Sequence, residues 1–408
     1  MHKHTQTAPS IRFKGFTEDW EQLKLGDLAE SFNYGLNASA TEFDGENKYI
    51  RITDIDDKSH KFIQSGLTSP NAELSNADDS LLKEGDILFA RTGASVGKSY
   101  QYDRLDGKVY YAGFLIRARI KPEFNPSFIF QNTVTERYKN FIKIASQRSG
   151  QPGVNAQEYA NFSLLVPTKE EQQKIGDFFK QLDNTIALHQ RQLSNYKDMK
   201  AALLQKMFPK DGEKMPEVRF EGFTGEWEER KLGEIAKIGT GYTPSRNDKD
   251  NFGGEIIWIS VSDMKSKYVH DSKEHLSEKD VRESKWIDAD TLIMSFKLSV
   301  GVLAITKIKC MSNEAIANFK WENDITNNEY MYAYLSSKDI SAYGNNAAQG
   351  ITLNNEGLRK ISIQLPCKGE QRVIGAFFKQ LDDTIAHHQQ QLDNYKELKK
   401  AMLQNLFI

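Results

Sequence analysis

The sequence predicts an α+β fold built as an internal repeat: two mixed α/β globules separated by two long helices that pack as an antiparallel coiled coil. Three observations lead there. A 38-residue stretch at 171–208, EQQKIGDFFKQLDNTIALHQRQLSNYKDMKAALLQKMF, returns at 370–407 as EQRVIGAFFKQLDDTIAHHQQQLDNYKELKKAMLQNLF, in register 199 positions later. A second string, IRFKGFTEDWEQLKLGDLA at 11–29, returns as VRFEGFTGEWEERKLGEIA at 218–236. The segments between these landmarks have the composition of short strands punctuated by glycine and asparagine, and an internal duplication of this length decides the fold class.

The helices come first because their pattern is the clearest. Ile175, Phe179, Leu182, Ile186, His189, Leu193, Tyr196, Lys200 and Leu203 step alternately by four and three. So do Ile374, Phe378, Leu381, Ile385, His388, Leu392, Tyr395, Lys399 and Met402. That is a heptad seam, which must lie on another helix. Neither copy contains proline, and each has a single glycine near its start. At about 1.5 Å per residue each is a rod on the order of 55 Å long. His189 and His388 hold equivalent seam positions and read as polar register markers; Lys200 and Lys399, nearer the helix ends, read as lysines that snorkel outward.

The globules are expected to lead with strands. YIRITDI at 49–55, DILFAR at 86–91, YYAGFLIRARI at 110–120, EIIWISV at 255–261, TLIMSF at 291–296 and VGVLAIT at 300–306 are rich in β-branched and aromatic residues. Residues 125–144 and 327–337 read as helices with capping signals before them. Pro209, Gly212 and Pro216 mark a linker. The division is therefore 1–169 first globule, 170–208 central helix, 209–368 second globule and 369–408 closing helix.

Composition bounds the rest. The chain has 408 residues, 39% hydrophobic and 27% charged, an ordinary soluble composition. No apolar run approaches the roughly 20 residues of a membrane span, and MHKHTQTAPSIRF lacks the apolar centre of a signal peptide. Cys310 and Cys367 lack metal-like spacing, so a cytoplasmic protein with reduced thiols is expected. Net charge is −2, but residues 1–86 hold 9 Lys+Arg against 16 Asp+Glu, whereas 87–148 hold 11 against 4. Such segregation can produce a basic, phosphate-binding face, or two surfaces of opposite sign that pair internally.

Motifs of catalysis are missing. GASVGKS at 93–99 has one residue too few for a phosphate-cradling loop, and its duplicate LSVGVLA has no lysine, so a turn between strands explains both. The Asp54, Asp56 and Asp57 cluster reads as a solvated turn. There is no G-x-S-x-G and no H-E-x-x-H. The expectation is no catalytic residue, no metal and no cofactor in this chain. What remains is recognition chemistry on loops: aromatic, hydroxyl, amide and guanidinium groups that can reach base edges or phosphates. The candidates for DNA contact are Tyr34, Arg91, Thr92, Lys98, Arg117, Arg119, Arg148, Ser149 and Gln151 in the first half, and Tyr242, Thr243, Ser245, Arg246, Lys265, Lys297 and Gln349 in the second.

The ordered set of these strings resembles the specificity subunit of type I restriction–modification systems. Its carriers are R-F-x-G-F-T-x-x-W-E-x-x-K-L-G-(D/E) at Arg12 and Arg219, GYTPSRNDKDNFGGEIIWISVSDM at 241–264, SGQPGVN at 149–155, AQGITLN at 348–354, and the paired helices. The resemblance implies two target-recognition domains, each reading half of a bipartite site on double-stranded DNA. The helix pair would set the gap and dock two modification subunits. Those partners would hold S-adenosylmethionine and methylate adenine; restriction subunits would bring an ATP- and Mg-dependent translocase and nuclease. One departure is the second globule's mild basic excess, five lysines against three carboxylates over 285–320. A coiled-coil scaffold without DNA recognition, and a solitary DNA-modifying enzyme with cryptic motifs, remain the competing classes.

Overall fold

The computed structural model describes residues 8–147, 151–297, 299–347 and 350–407. The chain forms two compact units, Met1–Gln190 with Gln390–Ile408, and Arg191–Gln389. The boundary between them falls inside both long helices, Lys169–Lys206 and Lys368–Leu406. Each unit therefore holds part of each helix.

In the first unit an antiparallel sheet runs in the order Ala29–Tyr34, Leu115–Ile120, Asp86–Ala90, Ser99–Gln101. A two-stranded ribbon, Glu21–Lys24 with Ser163–Val166, joins the start of the globule to its end. One face of the sheet is covered by Pro126–Asn132 and Glu136–Ala145. The expected single helix over 125–144 is two, because Thr135 caps the second with its side chain accepting from the Tyr138 N–H. The expected strand at 49–55 shortens to Lys48–Ile50 and turns into a 3-10 segment at Ile52–Asp54. There the Asp54 carboxylate takes the Arg51 backbone N–H and guanidinium, which favours the turn over further pairing. The strand expected at 110–120 breaks at 112–114 into Val109–Tyr111 and Leu115–Ile120.

The second unit repeats the plan with a five-stranded sheet in the order Ala236–Thr240, Ile316–Trp321, Leu292–Ser295, Leu303–Thr306, Tyr268–Val269. The ribbon returns as Glu228–Lys231 with Ser362–Leu365. The helix expected at 327–337 forms as Asn328–Ser336, its Asn327 side chain accepting from the Tyr330 N–H. Phe252–Ile259 pairs instead with His275–Leu276 and Met311–Ser312 in a smaller sheet.

Within each unit the two helix segments run antiparallel. In the first, the Phe179 and Phe407 ring centroids lie 5.7 Å apart, Asp183 meets Lys399 at 2.7 Å, and His189 lies 5.2 Å from Tyr395. As one number rises the other falls. The second unit gives the same series: Phe208 with Phe378 at 5.7 Å, Lys200 with Asp382 at 2.6 Å, Tyr196 with His388 at 5.2 Å. Ile175, Phe179, Leu182, Leu193, Ile374, Phe378, Leu381 and Leu392 are buried. Ile186, His189, Tyr196, Leu203, Ile385, His388, Tyr395 and Met402 are half-buried. The lysines do not snorkel: Lys200 and Lys399 are drawn across the seam by carboxylates, because Asp382 and Asp183 stand opposite them.

Each helix is clamped to its globule by the same ion pair. Arg12 Nε and Nη2 donate to Glu171 Oε1 and Oε2, both at 2.7 Å, and Arg219 does the same to Glu370, also at 2.7 Å. Both glutamates are fully buried. The helix glycines have a packing reason. A Cβ on Gly176 would stand 2.4 Å from Asn125 Oδ1, and one on Gly375 would stand 2.9 Å from the Tyr330 nitrogen. In both units the helix passes against the capped start of a globule helix.

Candidate nucleic-acid interface

Ala29–Tyr34 and Asp86–Ala90 both run antiparallel to the strand between them, so their C-terminal ends arrive at the same end of the sheet. There Tyr34 is opposite Ile116 and Ala90 is opposite Leu115. Arg91, the next residue, lays its guanidinium 4.9 Å from the centre of the Tyr34 ring. The ring is exposed, and cation–π contact holds the guanidinium plane without consuming its hydrogen bonds.

The arm at 151–154 closes onto the same strand end. The Gly93 N–H donates to the Pro152 carbonyl at 3.0 Å, Thr92 bridges Gly153, and the Val154 N–H donates to the Arg91 carbonyl at 2.9 Å. Val154 is buried and anchors the arm, Asn155 caps Ala156–Ala160, and the Ala156 N–H donates to the Tyr34 hydroxyl at 3.3 Å. Gln151 stays exposed beside Gly93. Gly93 has φ of +76°, a conformation a larger residue would strain. Phenol, guanidinium, hydroxyl and amide thus share one surface. An arginine fork suits guanine, and a glutamine amide suits adenine.

The second unit builds the same joint. Lys297 bridges Thr352, the Leu353 N–H donates to the Phe296 carbonyl at 2.9 Å, and Asn354 caps Asn355–Lys360. The Lys297 ammonium lies 5.5 Å from the Phe296 ring centre. The loop after Ala236–Thr240 begins at Gly241, where a Cβ would stand 2.1 Å from the Ser312 carbonyl oxygen. Further along, Arg246 is exposed and grips Glu274 with both Nη atoms, at 2.6 and 2.8 Å. That pair raises the guanidinium pKa and holds the Glu274 carboxyl below its ordinary value. The same guanidinium lies 4.6 Å from the Phe252 ring centre. Thr243 is half-buried, while Ser245 and Lys265 are exposed.

Four expected contacts do not fit a DNA-facing role in this arrangement. Arg117 is 3% exposed; its Nη1 donates to the Asp79 carbonyl and its Nη2 to Asn33 Oδ1. Arg119 forms a two-pronged pair with the buried Asp86 at 2.8 and 2.9 Å. The basic run in 87–148 is thus partly neutralised from within, the pairing that charge counting left open. Lys98 folds inward to the Ile55 carbonyl at 3.0 Å and to Asp57 at 2.5 Å, so the Asp57 carboxylate is an ion-pair partner. Tyr242 is buried in an aromatic cluster and its carbonyl accepts from the Trp258 indole at 3.0 Å. Arg148, Ser149 and Gln349 lie outside the described residues.

Sequence reasoning missed Arg282, whose guanidinium lies 4.0 Å from the Tyr242 ring centre, and Lys309, 4.6 Å from that of Trp286. No spacing signals them, since the rings they cover are distant in the chain. Among the described residues, no group of three or more His, Cys, Asp or Glu could hold a metal ion. Nor, among the described residues, is any helix long and apolar enough to cross a membrane.

Comparisons with known proteins bear on this geometry. The family model described as "Type I restriction modification DNA specificity domain" matches twice, at 17–196 and 224–396. The type I restriction enzyme HindI specificity subunit of Haemophilus influenzae is 23% identical over 452 residues, covering 90% of this chain and 95% of that one. The MjaVIII specificity subunit of Methanocaldococcus jannaschii is 20% identical over 406 residues, covering 95% and 91%. The crystal structure of a type I restriction-modification system S subunit from M. genitalium superposes with a TM-score of 0.65 at 14% identity, over 98% of this chain and 99% of that one, a likeness of fold. With both halves of its repeat matched, this chain belongs to the type I restriction–modification DNA specificity family.

Proposed function

We propose that the chain is the DNA sequence-specificity subunit of a type I restriction–modification enzyme, working in the cytoplasm. Each unit reads one half of a bipartite site on double-stranded DNA. The observation that carries this reading is the joint built twice: Thr92 with Gly153, and Lys297 with Thr352, each at a strand end beside exposed polar loops. A chain that needed one recognition surface would have no reason to build the joint in both halves.

The first half-site is read from Tyr34, Arg91, Thr92 and Gln151, the second from Thr243, Ser245, Arg246, Lys265 and Lys297. The helix pair fixes the gap and docks two modification subunits. The chain itself supplies no catalytic group. The modification subunits hold S-adenosylmethionine and transfer its methyl group to adenine N6, and restriction subunits add ATP- and Mg-dependent translocation and cleavage.

The test is methylation of duplex DNA by the isolated chain and by the chain assembled with modification subunits. Methyl transfer is expected from the assembly alone. Activity from the isolated chain would make it a solitary enzyme instead. Specific DNA binding by the assembly should weaken steeply as salt rises, as lysine and arginine contacts release counterions. No DNA affinity at low salt would leave a protein scaffold.

A further inference from the structure

The turn at 112–114, between Val109–Tyr111 and Leu115–Ile120, points one large apolar side chain away from the core. The Leu115 N–H donates to the Ala112 carbonyl at 2.8 Å, which makes Gly113 and Phe114 the central pair of a β-turn. Three other segments hold this turn through its backbone. The Ala112 N–H donates to the Ile50 carbonyl at 3.0 Å, the Gly113 N–H to the Leu36 carbonyl at 2.7 Å, and the Arg91 N–H to the Phe114 carbonyl at 3.1 Å. Ala112 and Leu115 are buried, yet Phe114 between them is 63% exposed. A single exposed phenylalanine is ordinary on a protein surface. This one stands beside the candidate interface: Arg91, which lies over the Tyr34 ring, reaches the Gly113 carbonyl with Nη1 at 3.5 Å.

The second unit builds the same turn. The Asn313 N–H donates to the Ile259 carbonyl at 3.0 Å, the Ile316 N–H to the Asn313 carbonyl at 3.2 Å, and the Phe296 N–H to the Ala315 carbonyl at 2.9 Å. Bond for bond, Glu314 and Ala315 occupy the places of Gly113 and Phe114, and Phe296 occupies that of Arg91. The backbone is kept and the side chains change, which is the pattern of a position that selects a ligand and not of one that holds the fold.

We propose that Phe114 is a specificity-determining residue of the first unit, its ring packing on the C5-methyl group of a thymine in the major groove. The inference rests on the functional reading above and deepens it by assigning one base contact. Beside Phe114 stand an arginine and a glutamine, groups suited to hydrogen-bonding base edges. The apolar group that a base edge offers in the same groove is the thymine methyl, and phenylalanine is among the side chains that meet it. A ring fixed by a bonded turn brings this contact without ordering a loop.

The test uses the full chain assembled with modification subunits and duplexes carrying the cognate site. Deoxyuridine replaces each thymine of the half-site read by the first unit, one at a time; it keeps the base pair and removes only the methyl group. In a salt-controlled titration, one replacement should weaken wild-type binding by about fourfold, the value of one methyl group buried. Phe114→Ala should weaken binding to the unmodified duplex and lose its response to that replacement, whereas Phe114→Leu, still apolar, should keep the response. Replacements in the other half-site should act alike on all three proteins. Wild-type affinity in Phe114→Ala would overturn the proposal. Weakened binding with an undiminished response to every replacement would overturn it too, and would leave the ring a role away from the methyl group. If the wild-type assembly showed no preference for any DNA sequence, the functional reading itself would fail.

Discussion

Arg91 and Arg117 show how differently two arginines of one sheet can be used. Arg91 lies on an exposed tyrosine face at a strand end, whereas Arg117 is buried, two-pronged and internally bonded. Arg91→Ala should weaken binding of the assembled complex to its cognate DNA by roughly 10- to 100-fold, the value of about 1–3 kcal/mol of one base contact, and relax one half-site only. Unchanged binding in a salt-controlled titration would remove Arg91 from the interface. Arg12 belongs to stability. Its loss strands the buried Glu171 carboxylate, and unfolding by denaturant should show a loss of about 3 kcal/mol, at the low end for a broken buried pair because the arginine side chain keeps 14% exposure. Arg219→Ala should behave alike.

His60 makes one pH-dependent contribution to the stability of the first unit. Burial pushes its pKa down most; the Ser99 carbonyl, 2.9 Å from Nδ1, opposes that, while Lys399 and Lys98 add to it. The unfolded chain therefore binds the proton more readily than the folded one. This contribution to stability is complete above an ordinary histidine pKa of about 6.5 and is lost as pH falls below it. Denaturation midpoints from pH 8 to pH 5 should fall for the wild type and fall less for His60→Asn, which tolerates the φ of +55° at that position. Equal slopes would show that other groups carry the acid sensitivity.

At the scale of elements, the long helices were the most legible part of the sequence because a heptad seam is a local pattern repeated many times. Every expected seam residue of both copies is buried or half-buried. The globules were less legible for a physical reason. Whether Arg119 faces solvent depends on Asp86, and whether Lys98 does depends on the Ile55 carbonyl and Asp57, partners that spacing does not reveal. The joint at Thr92 and Gly153 was half legible: both strings stood out, but nothing local says that they meet. The helix glycines give a further check. Alanine at Gly176 would gain about 1 kcal/mol in helix propensity. It would also collide with the Asn125 cap at 2.4 Å and with the Phe128 nitrogen at 3.2 Å. The collision should win, leaving Gly176→Ala destabilised by about 1–2 kcal/mol, since a lost cap alone costs about 1. Thermal unfolding that shifted upward would show that propensity dominates there.

For the molecule as a whole, the duplication is the organising fact. The Arg–Glu clamp, the glycine contact, the cross-helix Lys–Asp pair, the His–Tyr ring pair and the strand-end joint each occur once per unit with closely matching geometry. The loops between them differ: Arg91 stands over Tyr34 at the first joint, whereas Lys297 stands over Phe296 at the second. A repeated frame with divergent loops is what independent reading of two different half-sites requires.

That independence is the central claim, and methylation-aware sequencing tests it directly. Residues 30–165 would be exchanged for the equivalent region of a related specificity subunit, and DNA would be sequenced from cells carrying the chimera with its modification subunits. One half of the methylated bipartite site should change, while the other half and the gap between them stay as in the wild type. A change in both halves would contradict the account.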